Sequence, residues 1–341
     1  MGVDIGSILV KHDIEFESLS GYKIAIDAYN TIYQFLSIIR QRDGTPLMDS
    51  RGKITSHLSG LLYRTTRMME MDIKPIFVFD GEPPKFKAKT IAARSALKEE
   101  AKRKMQEAKE RGEQDLKTYA QATVRITDEI ISESKLLLEL LGIPVVQAPS
   151  EGEAQASYMA REGLVYAVGS QDYDAVLFGA PKLVRNLTLS GKRKLPSKGI
   201  WIDIGPEMID LNESLGAIGL DRKRLIWTGI MIGTDYNPGI KGIGPKKGLD
   251  IAKKATSIKN CFELAKASDQ YEHETEEIER FFMEPPSKDP SIKFGEIQKD
   301  KLIDFLCGKH DFSIERVESA ITKAEKKPSD TGQSKLEGWF G

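Results

Sequence analysis

The chain has 341 residues, of which 40% are hydrophobic and 30% charged, and its net charge is −1. This length is ample for one large domain or two fused ones, and the balanced charge means that a nucleic acid could be bound only through local basic patches. The two cysteines, Cys261 and Cys307, lack CxxC spacing, which argues against a cysteine zinc site and favours a reducing intracellular compartment. Since no apolar run approaches the ~18 residues of a membrane helix, we expect a soluble protein that does not contact a membrane.

Three apolar segments that are typical of buried strands end at or near an acidic residue. YKIAIDA ends near Asp27, KPIFVFD ends on Asp80 and VYAVGSQD ends on Asp172. Helical periodicity over residues 31–40 and 55–70 separates the first two strands, so the pattern predicts an α/β fold. Because ligands in open α/β sheets bind outside the carboxyl ends of the strands, we expect these acids to converge in space.

The composition changes sharply from Lys85 to Lys117, where Ala, Lys, Glu, Arg and Gln dominate and large apolar residues are few. Such a segment favours helix by propensity but has little apolar face to bury. Two interpretations stay open. It is either a solvated helical insertion or a mobile basic arm that contacts phosphates.

The segment Ala148–Met159 carries the alternating acids Glu151 and Glu153. Ser150-x-x-Glu153 also fits a capping box, in which Ser caps a helix and Glu reaches back to the cap amide. On a regular helix a spacing of two places side chains about 200° apart. Both glutamates could therefore face one site only at an irregular helix start.

A second alternating pair, Asp172 and Asp174, follows in the sequence SQDYDAV. Its D-x-D-x-V pattern matches the nucleophile motif of haloacid-dehalogenase-like phosphatases. Those enzymes carry the motif near the beginning of the core and after a plainly apolar strand, whereas here it lies at mid-chain after Gly-Ser-Gln.

Counting the acids together favours metal binding over either alternative. Seven acids lie at or near the ends of apolar runs: Asp27, Asp80, Glu151, Glu153, Asp172, Asp174 and Asp235. So many carboxylates repel one another and need cations to share a pocket. Hard oxygen ligands suit Mg²⁺ or Mn²⁺, and two such ions about 4 Å apart can promote phosphodiester hydrolysis. The sequence therefore predicts metal-dependent phosphoryl chemistry.

The glycine-rich segment from Gly239 to Gly248 fits neither a P-loop nor the G-x-G-x-x-G pattern. Gly242 and Gly244 instead form a turn just before a helix, where exposed amides can hold a phosphate beside Lys246 and Lys247. An ordinary glycine-rich turn is the alternative. Phosphate binding by backbone does not read sequence, so it would imply DNA bound by shape.

The last residues form a polar segment that ends in apolar anchors. The motif consists of Gln333, Leu336, Trp339 and Phe340, and its three apolar side chains share a face of one helical turn. Since residues 327–341 have no core to join, we expect them to form a flexible tail that docks in a partner's groove.

Together these segments closely resemble the flap endonuclease family of structure-specific 5′ nucleases in its archaeal form. The resemblance spans essentially the whole chain, through AIDAYNTIYQFL, VFDGEPPKFK, APSEGEAQASYM, SQDYDAVLFG, GTDYNPGIKGIGPKK and QSKLEGWF. It implies a PIN-like α/β fold with a mixed, mostly parallel central sheet flanked by helices, a helical arch and a helix-two-turn-helix motif for DNA. It also implies that the seven acids hold two Mg²⁺ ions, for which Mn²⁺ can substitute.

The resemblance further assigns roles to individual residues. Lys87 and Arg94 match the cations of the arch near the reacting phosphate, and their spacing of seven places them on one helical face. Tyr33 matches the aromatic side chain that stacks near the reacting nucleotide, and Thr55 matches a pocket for a one-nucleotide 3′ flap.

Two further implications concern bound ions and partners. The turn at Gly242 and Gly244 matches the motif that holds downstream duplex with a K⁺ ion, although Gly248 stands where the family more often has Ala. The motif at residues 333–340 matches the segment that docks on the sliding clamp. The chain lacks the longer basic tail of eukaryotic relatives, which favours an archaeal cytoplasm over a nucleus. We also expect the protein to be a monomer.

These interpretations combine into one hypothesis. We expect a divalent-metal-dependent 5′-flap endonuclease, with 5′–3′ exonuclease activity, that cuts branched DNA in replication (Okazaki fragment maturation) and repair. A junction-cleaving relative and a non-catalytic clamp- and DNA-binding scaffold are the alternatives. The expected divisions are a nuclease core over 1–326, with an N-terminal region over about 1–105, an arch over 81–125, an internal region over about 120–260 and C-terminal helices over about 260–326, followed by the tail.

Overall fold

The computed structural model describes residues 2–41, 43–110, 124–188, 191–194 and 201–325. Within these ranges only the backbone is described at residues 89, 94, 105, 108–110, 191–194 and 201–204. The strands are β1 (His12–Asp13), β2 (Lys23–Asp27), β3 (Lys74–Phe79), β4 (Val145–Gln147), β5 (Ala167–Gly169), β6 (Lys182–Arg185), β7 (Gly191–Lys194), β8 (Trp201–Ile204) and β9 (Glu207–Asp210).

Seven of the strands form one sheet in the order β1-β9-β6-β5-β2-β3-β4, and β7 pairs with β8 in a separate ribbon. Strands β2 to β6 are parallel to one another in this sheet, and β9 pairs antiparallel with both β6 and β1. The predicted α/β fold with a mixed, mostly parallel sheet is thus confirmed.

The helices flank this sheet, and several of them begin at a side-chain cap. Thr127, Asp210, Asp221 and Ser257 each accept a hydrogen bond from the backbone N–H three residues further on, which satisfies one of the unpaired donors of a helix start. The helices are α1 (Ala28–Ile38), α2 (Ser56–Glu70), α3 (Ala88–Glu110), α4 (Asp128–Leu140), α5 (Gly152–Arg161), α6 (Asp174–Leu177), α7 (Leu211–Ile218), α8 (Arg222–Ile232), α9 (Pro245–Lys254), α10 (Ile258–Leu264), α11 (Glu274–Met283), α12 (Lys299–Ile303) and α13 (Ile314–Glu325).

The sheet separates two apolar clusters, because successive side chains of a strand point to opposite faces. In β2, Ala25 joins the cluster that covers α5, α6 and α8, while Ile24 and Ile26 join the cluster that covers α1, α2, α4 and α13. In β3, Val78 and Phe77 divide in the same way. Strands buried on both faces explain the continuous apolar runs in the sequence.

Helix α3 differs from the others because none of its described side chains is buried. The predicted helix is confirmed over residues 88–110, and residues 111–123 lie outside the described part of the chain. Just before α3, the Phe86 ring packs edge-on against Tyr236 and Phe281, with centroids 5.3 and 5.2 Å away. This aromatic contact joins the base of α3 to the protein body.

No helix in the described part of the chain is long and apolar enough to cross a membrane. The expected helical patterns near the C terminus are present as α10 to α13, with a π-helical turn at Asp304–Gly308 after α12.

Gly81 lies at a close approach between the end of β3 and the loop after β4. Its N–H donates to the Ser150 carbonyl oxygen at 2.6 Å. A Cβ at Gly81 would overlap the Ala148 carbonyl oxygen and lie 2.7 Å from the Pro149 carbonyl carbon. Only a residue without a side chain fits between these two backbones.

We predict that Gly81→Ala lowers the free energy of unfolding by about 1–3 kcal/mol, the usual cost of overpacking. Gly216→Ala serves as the matched control, because a Cβ there meets nothing within 4 Å and Ala favours the α7 helix by up to ~1 kcal/mol. Equilibrium denaturation by guanidinium measures both. Equal stability of Gly81→Ala and the parent chain would contradict the close approach.

Candidate active site

Seven acidic residues gather where the parallel strands end. They are Asp27 at the end of β2, Asp80 after β3, Glu151 and Glu153 at the start of α5, Asp172 and Asp174 at the start of α6, and Asp235 after α8. The strand register explains this gathering, because Asp27 lies opposite Val78 of β3 and Ile26 lies opposite Gly169 of β5. The expected convergence of the acids is therefore found.

Asp27 is buried and caps α1, where its Oδ1 accepts from the Asn30 N–H at 3.1 Å. Burial, followed by the negative charge of Asp80, raises the pKa of this carboxyl well above its usual range. The charges of Asp172 and Glu151 act in the same direction. Asp27 thus lies at the centre of the group.

Asp80 and Glu151 are held by two different donors. Asp80 Oδ1 accepts from the Gly152 N–H at 2.7 Å, and Glu151 Oε2 accepts from Lys87 Nζ at 2.5 Å. Burial raises the pKa of both carboxyls, although Lys87 opposes the shift. Burial by itself would lower the pKa of Lys87, but the attraction of Glu151 opposes burial, and the lysine pKa is raised. This ion pair is shielded from water, with the two side chains only 14% and 12% exposed.

Glu153 does not take part in a capping box. Helix α5 begins at Gly152 with Glu151 at the cap position, and no side chain caps it. The Glu153 carboxylate instead accepts from the Ser170 hydroxyl at 2.5 Å. Burial, followed by the charge of Asp174, raises its pKa well above the usual range. Glu151 lies at the cap position with extended backbone, and Glu153 lies in the first turn of the helix. Both can therefore face the acidic group despite their spacing of two.

Asp172 and Asp174 are held by side-chain and backbone amides. Asn30 Nδ2 donates to Asp172 Oδ2 at 2.9 Å, and the Val3 N–H donates to Asp174 Oδ1 at 2.7 Å. Gly2 approaches both residues so closely that a Cβ there would lie 2.8 Å from Asp172 Cβ. Burial, followed by the charge of Asp235, raises the pKa of Asp174 to about 7.

Asp235 joins the group from the loop between α8 and α9. Its charge contributes to the raised pKa values of Asp80, Glu151 and Asp174. The seven carboxylates therefore form one electrostatic group, although they come from segments more than 200 residues apart in the chain.

The chemistry of this group fits divalent cations. Lys87 brings a single positive charge to seven carboxylates, and the raised pKa values express the repulsion and desolvation that remain. Carboxylate oxygens are the ligands that Mg²⁺ and Mn²⁺ prefer. Among the described residues, no three His, Cys, Asp or Glu side chains are already arranged as a metal site.

The predicted residues of the arch are placed only in part. Lys87 lies in the short 3₁₀ turn before α3, so its helical register with Arg94 is not that of one regular helix. Arg94 lies on α3, but its side chain is outside the described part of the structure. Tyr33 lies on α1 with its ring 41% exposed and the Lys98 ammonium 5.7 Å from its centre. Its stacking role stays a prediction.

The predicted glycine turn lies between α8 and α9. Gly242 has a φ of +82° and Gly244 occupies the cap position of α9, with no side-chain cap. Lys246 and Lys247 are exposed on the first turn of α9. A Cβ at Gly248 would lie 3.2 Å from Thr228 Cγ2 of α8, so the glycine there allows the two helices to pack closely.

Two further predicted sites are not tested by the structure. Thr55 is buried before α2, which begins at Ser56 rather than at Thr55, and the Thr55 N–H donates to the Leu47 carbonyl oxygen at 2.8 Å. Gln333, Leu336, Trp339 and Phe340 lie outside the described residues. The roles assigned to all of them stay predictions.

The sequence patterns missed the donors that orient the acids. Asn30 and Ser170 each bond a carboxylate through the side chain, while Val3 and Gly152 use the backbone N–H. For Asn30 a signal existed, since it follows the capping Asp27 by three residues. A backbone donor such as Val3 leaves no signal in a sequence.

Comparison with known families assigns the chain to a class. The XPG N-terminal domain matches residues 2–101 and the XPG I-region matches residues 142–235. These two stretches carry all seven acids, so the site belongs to the XPG class.

Comparison with individual proteins is more specific. Flap endonuclease 1 of Pyrococcus furiosus is 53% identical, over 100% of this chain and 99% of its own length. The structure of flap endonuclease-1 from Methanococcus jannaschii superposes with a TM-score of 0.74 at 41% identity, covering 95% of this chain and 98% of that one. The chain belongs to the flap endonuclease family, and it is a DNA nuclease. The catalytic core of Rad2 in complex with DNA substrate shares the fold, with a TM-score of 0.65 at 24% identity over 95% of this chain and 97% of that one.

The raised carboxyl pKa values predict how pH affects the metal-free protein. A carboxyl whose pKa is higher in the folded than in the unfolded state keeps a proton that the unfolded chain has lost. Its stabilising effect is full below about pH 4 and is lost as pH rises through about 7, the value for Asp174. We therefore expect the stability of the EDTA-treated protein to fall between pH 5 and pH 8, as measured by urea denaturation.

Asp174→Asn should reduce that fall and raise the metal-free stability at pH 8 by on the order of 2 kcal/mol. Asp269→Asn, at an exposed site in a 3₁₀ turn, is the control and should follow the parent chain. If Asp174→Asn has the same pH dependence as the parent, the repulsion at this site has been assigned wrongly.

Proposed function

We propose that this protein hydrolyses a phosphodiester at the base of 5′ flaps in branched DNA, with two Mg²⁺ ions held by the seven carboxylates. The observation that carries the proposal is the group of seven acids at the carboxyl edge of the sheet, beside Lys87, in which the pKa values of five carboxyls are raised: Asp27, Asp80, Glu151, Glu153 and Asp174. Mn²⁺ has the same ligand preference and is expected to substitute.

Charge interactions connect the carboxylates into one group, because Asp235 acts on Asp80 and Glu151 as well as on Asp174. Asp80, Glu151 and Asp235 interact on the side of Lys87, and Glu153, Asp172 and Asp174 interact on the side of the N-terminal segment. One ion is proposed to be held mainly by Asp80, Glu151, Glu153 and Asp172. The second ion is proposed to be held by Asp174 and Asp235 together with them. Bound ions would supply an activated water and stabilise the leaving oxygen.

Lys87 is proposed to act on the scissile phosphate. Its ammonium is shielded from water beside Glu151 and lies 5.8 Å from the centre of the Tyr236 ring. There a cation stabilises growing negative charge more than it would in water. Arg94 is proposed to assist from α3, and the exposed ring of Tyr33 to stack on the nucleotide beside the cut.

DNA binding by shape rests on other parts of the chain. The turn at Gly242 and Gly244, with exposed Lys246 and Lys247, offers backbone N–H groups and positive charge to one phosphate backbone, with a K⁺ ion at the turn. Thr55 is proposed to take part in the 3′-flap pocket. The Rad2 core that shares this fold was solved in complex with a DNA substrate.

The cellular role follows from the same proposal. A nuclease that removes 5′ flaps, and degrades DNA from 5′ ends, serves Okazaki fragment maturation and repair. Residues 333–340 would dock a monomer of the enzyme on the sliding clamp, in the cytoplasm of an archaeon and near its DNA.

We predict that Asp172→Asn lowers the rate of cleavage of a 5′-flap substrate in Mg²⁺ by at least about a hundredfold, because it removes a metal-binding charge. Binding of the same DNA, measured by fluorescence anisotropy in Ca²⁺, should change little. Asp269→Asn is again the control. Undiminished cleavage by Asp172→Asn would refute the metal assignment, and comparing flap, nicked, bubble and four-way substrates separates a flap enzyme from a junction resolvase.

Deletion of residues 333–341 should leave basal flap cleavage unchanged, because the acidic group and α3 remain intact. It should remove stimulation by the sliding clamp, measured by adding the clamp to the flap assay. Loss of basal activity on deletion would show that these residues serve the nuclease itself.

A further inference from the structure

Tyr173 lies between Asp172 and Asp174, and its side chain contacts both Arg185 of β6 and Lys11 of the N-terminal segment. The Arg185 guanidinium carbon lies 4.3 Å from the centre of the Tyr173 ring. From the other side, Lys11 Nζ donates to the Tyr173 hydroxyl at 2.8 Å. The ring is thus fixed between strand β6 and the N-terminal segment.

Arg185 is itself anchored on the sheet. Its Nη1 lies 2.6 Å from Glu207 Oε1, its register partner on β9, and its Nε donates to the Gln171 carbonyl oxygen at 3.1 Å. One side chain therefore fixes both the backbone before Asp172 and the ring after it. Because a guanidinium stacked on an aromatic ring is attracted to the ring face, this contact restricts the rotation of Tyr173.

The N-terminal segment also passes close to the Tyr173 side chain at Gly6. At Gly6 a Cβ would overlap the Tyr173 hydroxyl and lie 2.5 Å from its ring carbon Cζ. The same segment supplies the Val3 N–H that holds Asp174 Oδ1 at 2.7 Å. Tyr173 and Asp174 are therefore attached to one stretch of backbone, and the position of one constrains the other.

We propose that Tyr173 is a positioning residue for the metal-binding carboxylates. Its ring, clamped by Arg185 and by the backbone at Gly6, sets the turn from which Asp172 and Asp174 project, and its hydroxyl ties that turn to the N-terminal segment through Lys11. The inference rests on the proposed function, since it assumes that these two acids hold a metal ion.

Residues that orient metal ligands typically change metal affinity by about 10–100-fold when they are removed. We therefore expect Tyr173→Leu to raise the apparent Kd for Mg²⁺ about tenfold, measured without DNA from the Mg²⁺-dependent shift of the thermal midpoint. In flap cleavage the concentration of Mg²⁺ for half-maximal rate should rise in parallel, while KM for DNA stays unchanged.

Conservative and matched variants separate positioning from simple packing. Tyr173→Phe keeps the stacked ring and should recover most of the Mg²⁺ affinity, while Lys11→Met, at an exposed residue, should match Tyr173→Phe and add nothing to it. Tyr22→Leu is the control, because Tyr22 stacks on Tyr166 at a centroid distance of 4.0 Å, at the opposite end of β2. It should lower stability without changing Mg²⁺ affinity.

Two outcomes would overturn the proposal. If Tyr173→Leu has the parent Mg²⁺ affinity and a lower thermal midpoint only, the ring merely packs. If KM for DNA rises while the Mg²⁺ dependence is unchanged, the residue acts on DNA. If Tyr173→Leu does not fold, Tyr173→Met decides, because it also removes the ring that stacks on Arg185 but keeps a long apolar side chain, and parent Mg²⁺ affinity in Tyr173→Met would overturn the proposal. Failure of the proposed function would give a different result. The parent enzyme would then cleave the flap without a divalent ion, or the Asp172→Asn variant would keep its cleavage activity.

Discussion

Repulsion among buried carboxylates is the constraint on which the arrangement of this chain depends. Like charges that share a dry site raise one another's pKa values, and here the charge of Asp80 raises the pKa of Asp27 while the charge of Asp235 raises that of Asp174. Such a group can be held together only by a rigid frame. The frame is the parallel sheet, whose strands are buried on both faces and end in register. Each acid is thus brought to its place by a strand or helix that is stabilised elsewhere, in the two apolar clusters.

Individual donors complete what the sheet begins. Asn30, Ser170, Lys87 and the N–H groups of Val3 and Gly152 each hold one carboxylate. These bonds favour the ionised form and partly offset the cost of burial. They also hold the acids ready for a cation without requiring one for folding. The site therefore lowers the stability of the metal-free protein at neutral pH, and this loss is a direct consequence of a group arranged for binding.

Much of the fold and of the acidic group could be predicted from the sequence. The central strands were visible as apolar runs, and the rule that ligands lie beyond carboxyl ends brought Asp27, Asp80 and Asp172 together. The capping box at Ser150 and Glu153 could not be rejected from spacing, because only coordinates tell which group accepts from which donor. Contacts between distant segments, such as Val3 with Asp174 or Lys11 with Tyr173, depend on how whole layers pack and leave no local pattern. The expectation that Lys87 and Arg94 lie on one regular helix was wrong for a related reason. Composition does not distinguish the 3₁₀ turn that contains Lys87 from the α-helix that follows it.

The aromatic contact of Phe86 with Tyr236 and Phe281 has a consequence for how this family can change during evolution. The contact fixes the chain immediately before Lys87, while α3 beyond it buries none of its described side chains. Substitutions along α3, or changes in its length, therefore cost little folding energy and leave the lysine in its place beside Glu151. The surface of α3 and the acidic site can therefore evolve separately in one chain.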